Sequence, residues 1–235
     1  EPYIRQSMSA ADKEQTMKYV QGLWDQTVAA VSLDRGVSEK QLNHYADQFI
    51  DLAEAENYRQ WGLVDSLIYE YELDSILTQL CGTKEIQKVS TAQMAKVERK
   101  SSKASRSIAV VYAVGQIYDR QPNGNMGDAI VSGDMQKQVN KILKRDDVAA
   151  VVIRVNSPGG SAGASEQIWR NFKRLQDKGL PVVVSMGDYA ASGGYYIASG
   201  ADYIFAQPST LTGSIGIFGM IPNYGKLMDK IGLDM

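Results

Sequence analysis

One hydroxyl stands among small residues in the run Gly187-Asp188-Tyr189-Ala190-Ala191-Ser192-Gly193-Gly194-Tyr195-Tyr196. The β-branched run Pro181 to Met186 before it reads as a buried strand, and Tyr195 to Ser199 after it continues without a breaker. Ser192 therefore falls at a strand-to-helix corner. Such a corner suits a nucleophile: a helix start offers backbone N–H groups and a positive dipole end, and a neighbouring glycine lets a substrate carbonyl approach the main chain. The same residues also describe a tight packing corner around a buried serine, and this decapeptide alone leaves both readings open.

A second corner shifts the balance. Val148 to Val155 (VAAVVIRV) is another buried-type strand, running into Asn156-Ser157-Pro158-Gly159-Gly160-Ser161 and then a helical pattern from Ala164 to Lys178. A glycine pair at a strand end turns an N–H outward, so Gly160, or alternatively Gly159, would join the N–H of Gly193 as a two-donor oxyanion hole. Pro-Gly-Gly by itself is only a turn signal, but two such corners in adjacent β-α units favour chemistry over packing.

Few residues remain to activate that serine. The one histidine, His44, lies in a helical pattern beside Leu42 and Tyr45 and reads as a surface or interface residue. A serine–histidine–aspartate triad is thereby disfavoured, and the usual remaining activator is a lysine kept neutral by burial. The one cysteine, Cys81, rules out an internal disulfide and any multi-cysteine metal site, and is expected to fill a helix face near Leu77 and Leu80. Neither a metal nor a cofactor is expected.

The elements that must hold these corners follow from periodicity. At 235 residues, 44% hydrophobic and 22% charged, the chain is long enough for a real core in one large domain or two small ones. A net charge of −2 gives no reason to expect a nucleic-acid partner. No run is apolar and long enough to span a bilayer, no secretory signal pattern appears, and the chain reads as soluble. It opens on glutamate, as a processed product or fragment would. Ser9 to about Val31 reads as an amphipathic helix opened by Ser9-Ala10-Ala11-Asp12 and ended at Gly36. Ser38 to Gln41 repeats the capping pattern, with Leu42, Tyr45, Phe49 and Leu52 on one face, and Leu73, Ile76, Leu77 and Leu80 form a further helix that Gly82 would end.

Thr83 to Arg106 turns to Lys, Gln, Ser and Thr and is the linker candidate. Beyond it, Ser107 to Ile117 reads as a strand and Asp128 to Lys144 as a helix. The two corner strands follow, with a last strand over Asp202 to Ala206. Strands alternating with helices imply parallel β-α units with ligands at the strand C-terminal ends, where both corners lie. Ser209 to Gly219 (STLTGSIGIFG) alternates small polar and aliphatic residues, as either a glycine-rich turn region or an extended edge to which a peptide adds as a strand.

Taken together, NSPGGS, GDYAASGGYYIA and STLTGSIGIFG closely resemble the long, two-repeat form of bacterial signal peptide peptidase, also called protease IV. Their order and spacing cover Ser107 to Met235, and the helices before them, with Gly62-Leu63-Val64-Asp65, look like the end of that form's first repeat. The resemblance implies an α/β fold of the crotonase and Clp protease kind, in stacked β-β-α repeats with a helical N-terminal portion. It divides the chain into residues 1–98 (end of the first repeat with interface and linking helices), a linker at 99–106, and a second repeat at 107–235. It implies a serine–lysine dyad in which Ser192 is the nucleophile, Gly193 with Gly159 and Gly160 form the oxyanion region, and Ser214 hydrogen-bonds the base. Ser161, Thr212, Gly213 and Ile215 are expected to contact substrate.

The base itself has no counterpart. In the long form the resemblance puts the lysine just upstream of Glu1, in the half-length form past Met235, and Lys226 and Lys230 align with neither. The chain alone is therefore expected to be weak or inactive, by about two to four orders of magnitude in rate. The resemblance also implies hydrophobic peptide substrates such as cleaved signal peptides and a homo-oligomer, a ring or tetramer. It implies membrane attachment through a segment not in this chain, with the catalytic domain on the outer, periplasmic face of the bacterial inner membrane. Two rival classes are a crotonase-type acyl-coenzyme A enzyme using the same oxyanion geometry, and a non-enzymatic oligomeric assembly module.

Overall fold

Serine side chains start the N-terminal helices, as their spacing predicts. In the computed structural model, which describes residues 5–97, 105–124, 128–217 and 223–232, α1 (Ala10–Arg35) begins where Ser9 Oγ accepts the Asp12 N–H at 3.1 Å. It ends at Gly36, whose φ of 68° lets its N–H turn back onto the Ser32 carbonyl. Ser38 starts α2 (Glu39–Asp47) in the same way, with Oγ accepting from the Gln41 N–H at 3.2 Å. The expected stripe from Leu42 to Leu52 is not one helix face. Phe49 takes a left-handed φ of 54°, the chain continues as a short 3-10 turn (Ile50–Leu52), and Phe49 and Leu52 are left 69% and 81% exposed.

After α3 (Ala55–Gln60) comes α4 (Glu70–Cys81), which Gly82 terminates at φ 64°. Cys81 is exposed rather than packed beside Leu80, because both fall in the last turn of α4, where Leu80 is itself exposed. The region expected to be wholly linker contains a helical turn, α5 (Thr91–Met94), capped by Ser90; residues 98–104 lie outside the described residues. Among the described residues no helix is long and apolar enough to cross a membrane. Contacts divide the chain into two units, Glu1–Lys103 and Ala104–Met235.

The second unit is built on β-branched runs that pair in parallel. Its elements are β1 (Ser107–Val114), β2 (Gln116–Tyr118), β3 (Ala129–Val131), α6 (Ser132–Leu143), β4 (Val148–Ser157), α7 (Ala162–Asp177), β5 (Val182–Ala191), α8 (Gly193–Ala198), β6 (Tyr203–Phe205), β7 (Leu211–Gly213) and α9 (Gly225–Ile231). The strand order is β1-β4-β5-β6, with β7 also on β5, and β2 and β3 form a small parallel sheet of their own. The expected single strand Ser107 to Ile117 breaks at Gly115, whose φ is 98° and where a side chain would lie 1.9 Å from the Asp128 carbonyl oxygen. The start of the expected Asp128 to Lys144 helix is likewise strand β3, paired with β2.

One face of the sheet makes the core. Val111, Val151, Ile153, Val155, Val182 and Val184 are almost wholly buried, joined by Val139 of α6 and Ile168 and Leu175 of α7. Each such side chain contributes roughly 1.5–3 kcal/mol of burial, which makes the sheet a rigid base for what stands at its C-terminal end. The result is the mixed α/β class, parallel sheet plus helical N-terminal portion, that the resemblance implies.

Candidate active site

β5 runs further than its apolar core predicts, through Tyr189 to Ala191, because those residues pair with Leu211 to Gly213 of β7. The strand then delivers Ser192 into φ 51°, ψ −120°, a region that side-chain-bearing residues avoid at a cost of about 1–3 kcal/mol. Bonds on both sides hold it there. The Ser192 N–H donates to the Gly213 carbonyl at 3.0 Å, and the Ser192 carbonyl accepts the Tyr196 N–H at 2.9 Å, which opens α8.

The two glycine corners meet in space. β4 and β5 are neighbours, with Ser157 opposite Ala190, so the strand ends bring Gly159 under the Ser192–Gly193 peptide. A methyl group on Gly159 would lie 2.7 Å from both the Gly193 nitrogen and the Ser192 Cβ. One on Gly193 would lie 2.4 Å from Ser165 Oγ and 3.3 Å from the Gly160 nitrogen, and one on Gly160 would strike the Ile117 carbonyl oxygen at 2.1 Å. Only hydrogen at these positions permits the approach.

Counting N–H groups separates the two candidates for the first corner. Gly159 donates its N–H to Ser157 Oγ at 3.1 Å, and its carbonyl accepts the Ile117 N–H at 2.8 Å. The Gly160 N–H has no acceptor among the described residues, and neither does the Gly193 N–H beside it. Unengaged donors lying close together beside Ser192 are able to receive developing negative charge.

A cavity of about 320 Å³ opens over this point, lined by Gly160, Ala162, Ser192, Gly193, Tyr195, Tyr196, Ser199, Ile215, Gly216 and Ile217. Ser192, Gly160, Gly193 and Ile215 thus share one cavity, with Gly159 buried next to Ser192 and Gly193, and Gly213 holding the Ser192 amide. Thr212 is exposed on β7, and Ser214 is exposed at φ 52° outside the lining. Ser161 caps α7, with Oγ accepting the Ala164 N–H at 3.2 Å and donating to Asp119. Phe218 and Gly219, the end of the TGSIGIFG motif, lie outside the described residues. No lysine lines the cavity among the described residues, and Lys226 and Lys230 lie on α9.

Two contributors, one on the cavity wall and one outside it, were not singled out from the sequence. Tyr196 forms part of the wall and donates its hydroxyl to the Glu166 carboxylate, which also accepts from Arg170 Nε at 2.6 Å. The Tyr196 hydroxyl and Arg170 hold Glu166 below the usual carboxylate range, and Glu166 in turn raises Tyr196. The Glu166 to Arg170 spacing of four residues was a visible helix pair; the tyrosine's part in it depends on how α7 meets α8. The other is Asp119, just past β2 and far in sequence from both corners.

Residues 174–235 match the family described as Peptidase family S49. Across 99% of its length the chain is 36% identical to a protein named Protease 4 from Haemophilus influenzae, and across 99% it is 37% identical to Protease 4 from Salmonella typhi. It is also 30% identical, across 98% of its length, to the chloroplastic serine protease SPPA of Arabidopsis thaliana. The chain spans 39%, 38% and 35% of those three relatives.

Proposed function

Since this chain carries a peptidase family S49 domain, we propose that it is the nucleophile-bearing part of a serine peptidase. The observation that supports this best is the pair of unengaged N–H groups, Gly160 and Gly193, lining one cavity with a serine held in a strained turn. In the proposed reaction Ser192 Oγ forms a bond to the scissile carbonyl carbon while the carbonyl π pair moves onto oxygen. The two N–H groups receive that oxyanion, each worth about 2.7–4 kcal/mol in the transition state. A general base takes the Oγ proton and delivers it to the leaving nitrogen as the C–N bond breaks. Water then attacks the acyl-serine by the same route in reverse order.

The base is proposed to be a lysine oriented by Ser214. With none lining the cavity among the described residues, it is taken from a segment other than these. Substrates are proposed to be extended hydrophobic peptides, cleaved signal peptides among them. β7 pairs on one side with β5, and among the described residues no strand occupies its other edge, so a peptide can add there past Thr212 and Gly213 with a side chain in the apolar cavity. A homo-oligomer attached to the outer face of a bacterial inner membrane completes the proposal. A thioester-binding enzyme of the same fold would use the two N–H groups but has no use for a side chain forced through the Ser192 turn.

The test compares hydrolysis of a hydrophobic signal-like peptide by this chain and by a form extended to include the lysine-bearing segment, each with and without Ser192→Ala. Turnover confined to the extended, serine-intact protein is the expected result. Equal turnover by the unextended chain would place the base within residues 1–235, and turnover insensitive to Ser192→Ala would end the peptidase reading.

A further inference from the structure

We propose that Asp119 is a positioning residue that sets both oxyanion N–H groups through the hydroxyl of Ser161, an assignment that rests on the peptidase reading of Ser192. The Gly159–Gly160 corner has little to hold it intrinsically, with φ values of 102° and 152° that only glycine adopts freely. Its backbone is stitched to β2 at two points: the Ile117 N–H donates to the Gly159 carbonyl at 2.8 Å, and the Ser161 N–H donates to the Ile117 carbonyl at 2.9 Å. The Gly160 N–H lies between those two bonds. They orient both peptides flanking Gly160 against β2, and a further contact, made by a side chain, holds the corner against α7.

Ser161 supplies that contact. A hydroxyl has one proton to give, and here it goes to Asp119 Oδ2, leaving the oxygen lone pairs for the Ala164 N–H at the start of α7. An acceptor at position 119 thus decides the rotamer of the capping serine. The chain of contacts continues to the other donor. The Ser161 carbonyl accepts the Ser165 hydroxyl at 2.8 Å, and Ser165 Oγ is the atom against which Gly193 packs without room for a methyl group. One carboxylate outside the cavity thereby holds Ser161, and through it Gly160 on one side and the Ser165–Gly193 contact on the other.

The first readout needs no turnover. Hydrogen–deuterium exchange on the 235-residue chain should show the Ser161 amide exchanging at least about tenfold faster in Asp119→Ala, with Val151 and Ile153 amides unchanged. Asp119→Asn keeps an oxygen acceptor and should stay near the parent. Unchanged exchange at Ser161, or acceleration everywhere alike, would overturn the proposal. In the lysine-complemented peptidase, Asp119→Ala should lower kcat about 10- to 50-fold with KM unchanged, and Asp119→Asn should recover it to within about threefold. A raised KM with kcat intact would also overturn it. Absence of Ser192-dependent turnover in the parent would instead refute the peptidase reading, and the exchange result would still decide whether Asp119 sets this corner.

Discussion

Gly159 and Ser192 stand at the ends of adjacent parallel strands, both at positive φ, 102° and 51°, yet only one of them carries a side chain. At Gly159 the main chain must come so near the Ser192–Gly193 peptide that a methyl group has no place. At Ser192 the turn would suit glycine as well, but the hydroxyl is the proposed nucleophile. The means of support differ accordingly. The first corner is held by side chains, Ser157, Ser161 and Asp119, together with β2; the second by main-chain bonds to Gly213 and Tyr196. A corner that only presents an N–H can be made of glycine and tied from outside, whereas one that presents a nucleophile has to absorb backbone strain within a strand-to-helix junction.

The largest effect that would test this contrast is at the proposed nucleophile. Ser192→Ala keeps the Cβ and the turn but removes the attacking atom, and should lower kcat of the lysine-complemented peptidase by more than about 1,000-fold without loss of thermal stability. Steady-state kinetics and a melting curve on the same preparation check both halves. Next is Gly159→Ala. A methyl group 2.7 Å from the Gly193 nitrogen and the Ser192 Cβ has to push the two corners apart, and φ 102° strains it further. Here stability should fall by about 2–4 kcal/mol and turnover by about 100-fold, measured by denaturant unfolding and kcat. Stability lost without turnover would mean that the corners do not share one site.

Much of this was legible in the chain. The β-branched runs gave β4 and β5, the Ser9 and Ser38 caps gave α1 and α2, and the glycine pairs gave both corners. Elements set by partners distant in sequence were not. β2 and β3 are three residues each, too short for any period, and exist because they pair with one another. The Tyr189 to Ala191 end of β5 is strand only because β7 lies beside it. Asp119 is a lone acidic residue in a loop until Ile117 bridges to Gly160 and brings it to Ser161. The choice between Gly159 and Gly160 was open in sequence for the same reason, since the Gly159 N–H is taken by Ser157 Oγ only in the folded turn.

A smaller effect isolates the strain itself. Ser192→Gly and Ser192→Ala both lack the hydroxyl, but only the glycine variant relaxes φ 51°, ψ −120°. Relief of strain opposes the extra chain entropy of glycine, so Ser192→Gly should be the more stable of the two by about 1 kcal/mol, although glycine normally destabilises. Chemical denaturation of the pair measures it. Ser192→Gly falling below Ser192→Ala would mean that the turn is not strained, and the contrast between the corners would reduce to the presence of a hydroxyl.

The smallest expected effect lies on the cavity wall, where Tyr196 donates its hydroxyl to Glu166 beside Arg170. Because that bond and Arg170 lower the Glu166 pKa, its stabilising contribution is complete above the ordinary carboxylate range and is lost as pH falls through the depressed folded value. Tyr196 is raised by the same bond, so its contribution is complete below the ordinary tyrosine range, near pH 10, and is lost as pH rises through the raised value. Tyr196→Phe should therefore lower Tm slightly between the ordinary carboxylate and tyrosine ranges, with the difference from the parent closing as pH falls below the first and again as it rises above the second. The groups are solvent-exposed, so the shift should be small and should shrink further in high salt. With the ring still in place but untethered, kcat/KM for a bulky against a small substrate side chain should change by only about two- to fivefold. A loss as large as that of Gly159→Ala would mean that the wall, and not the glycine corner, holds the oxyanion donors in register, and the division of labour between the two corners would have to be redrawn around α8.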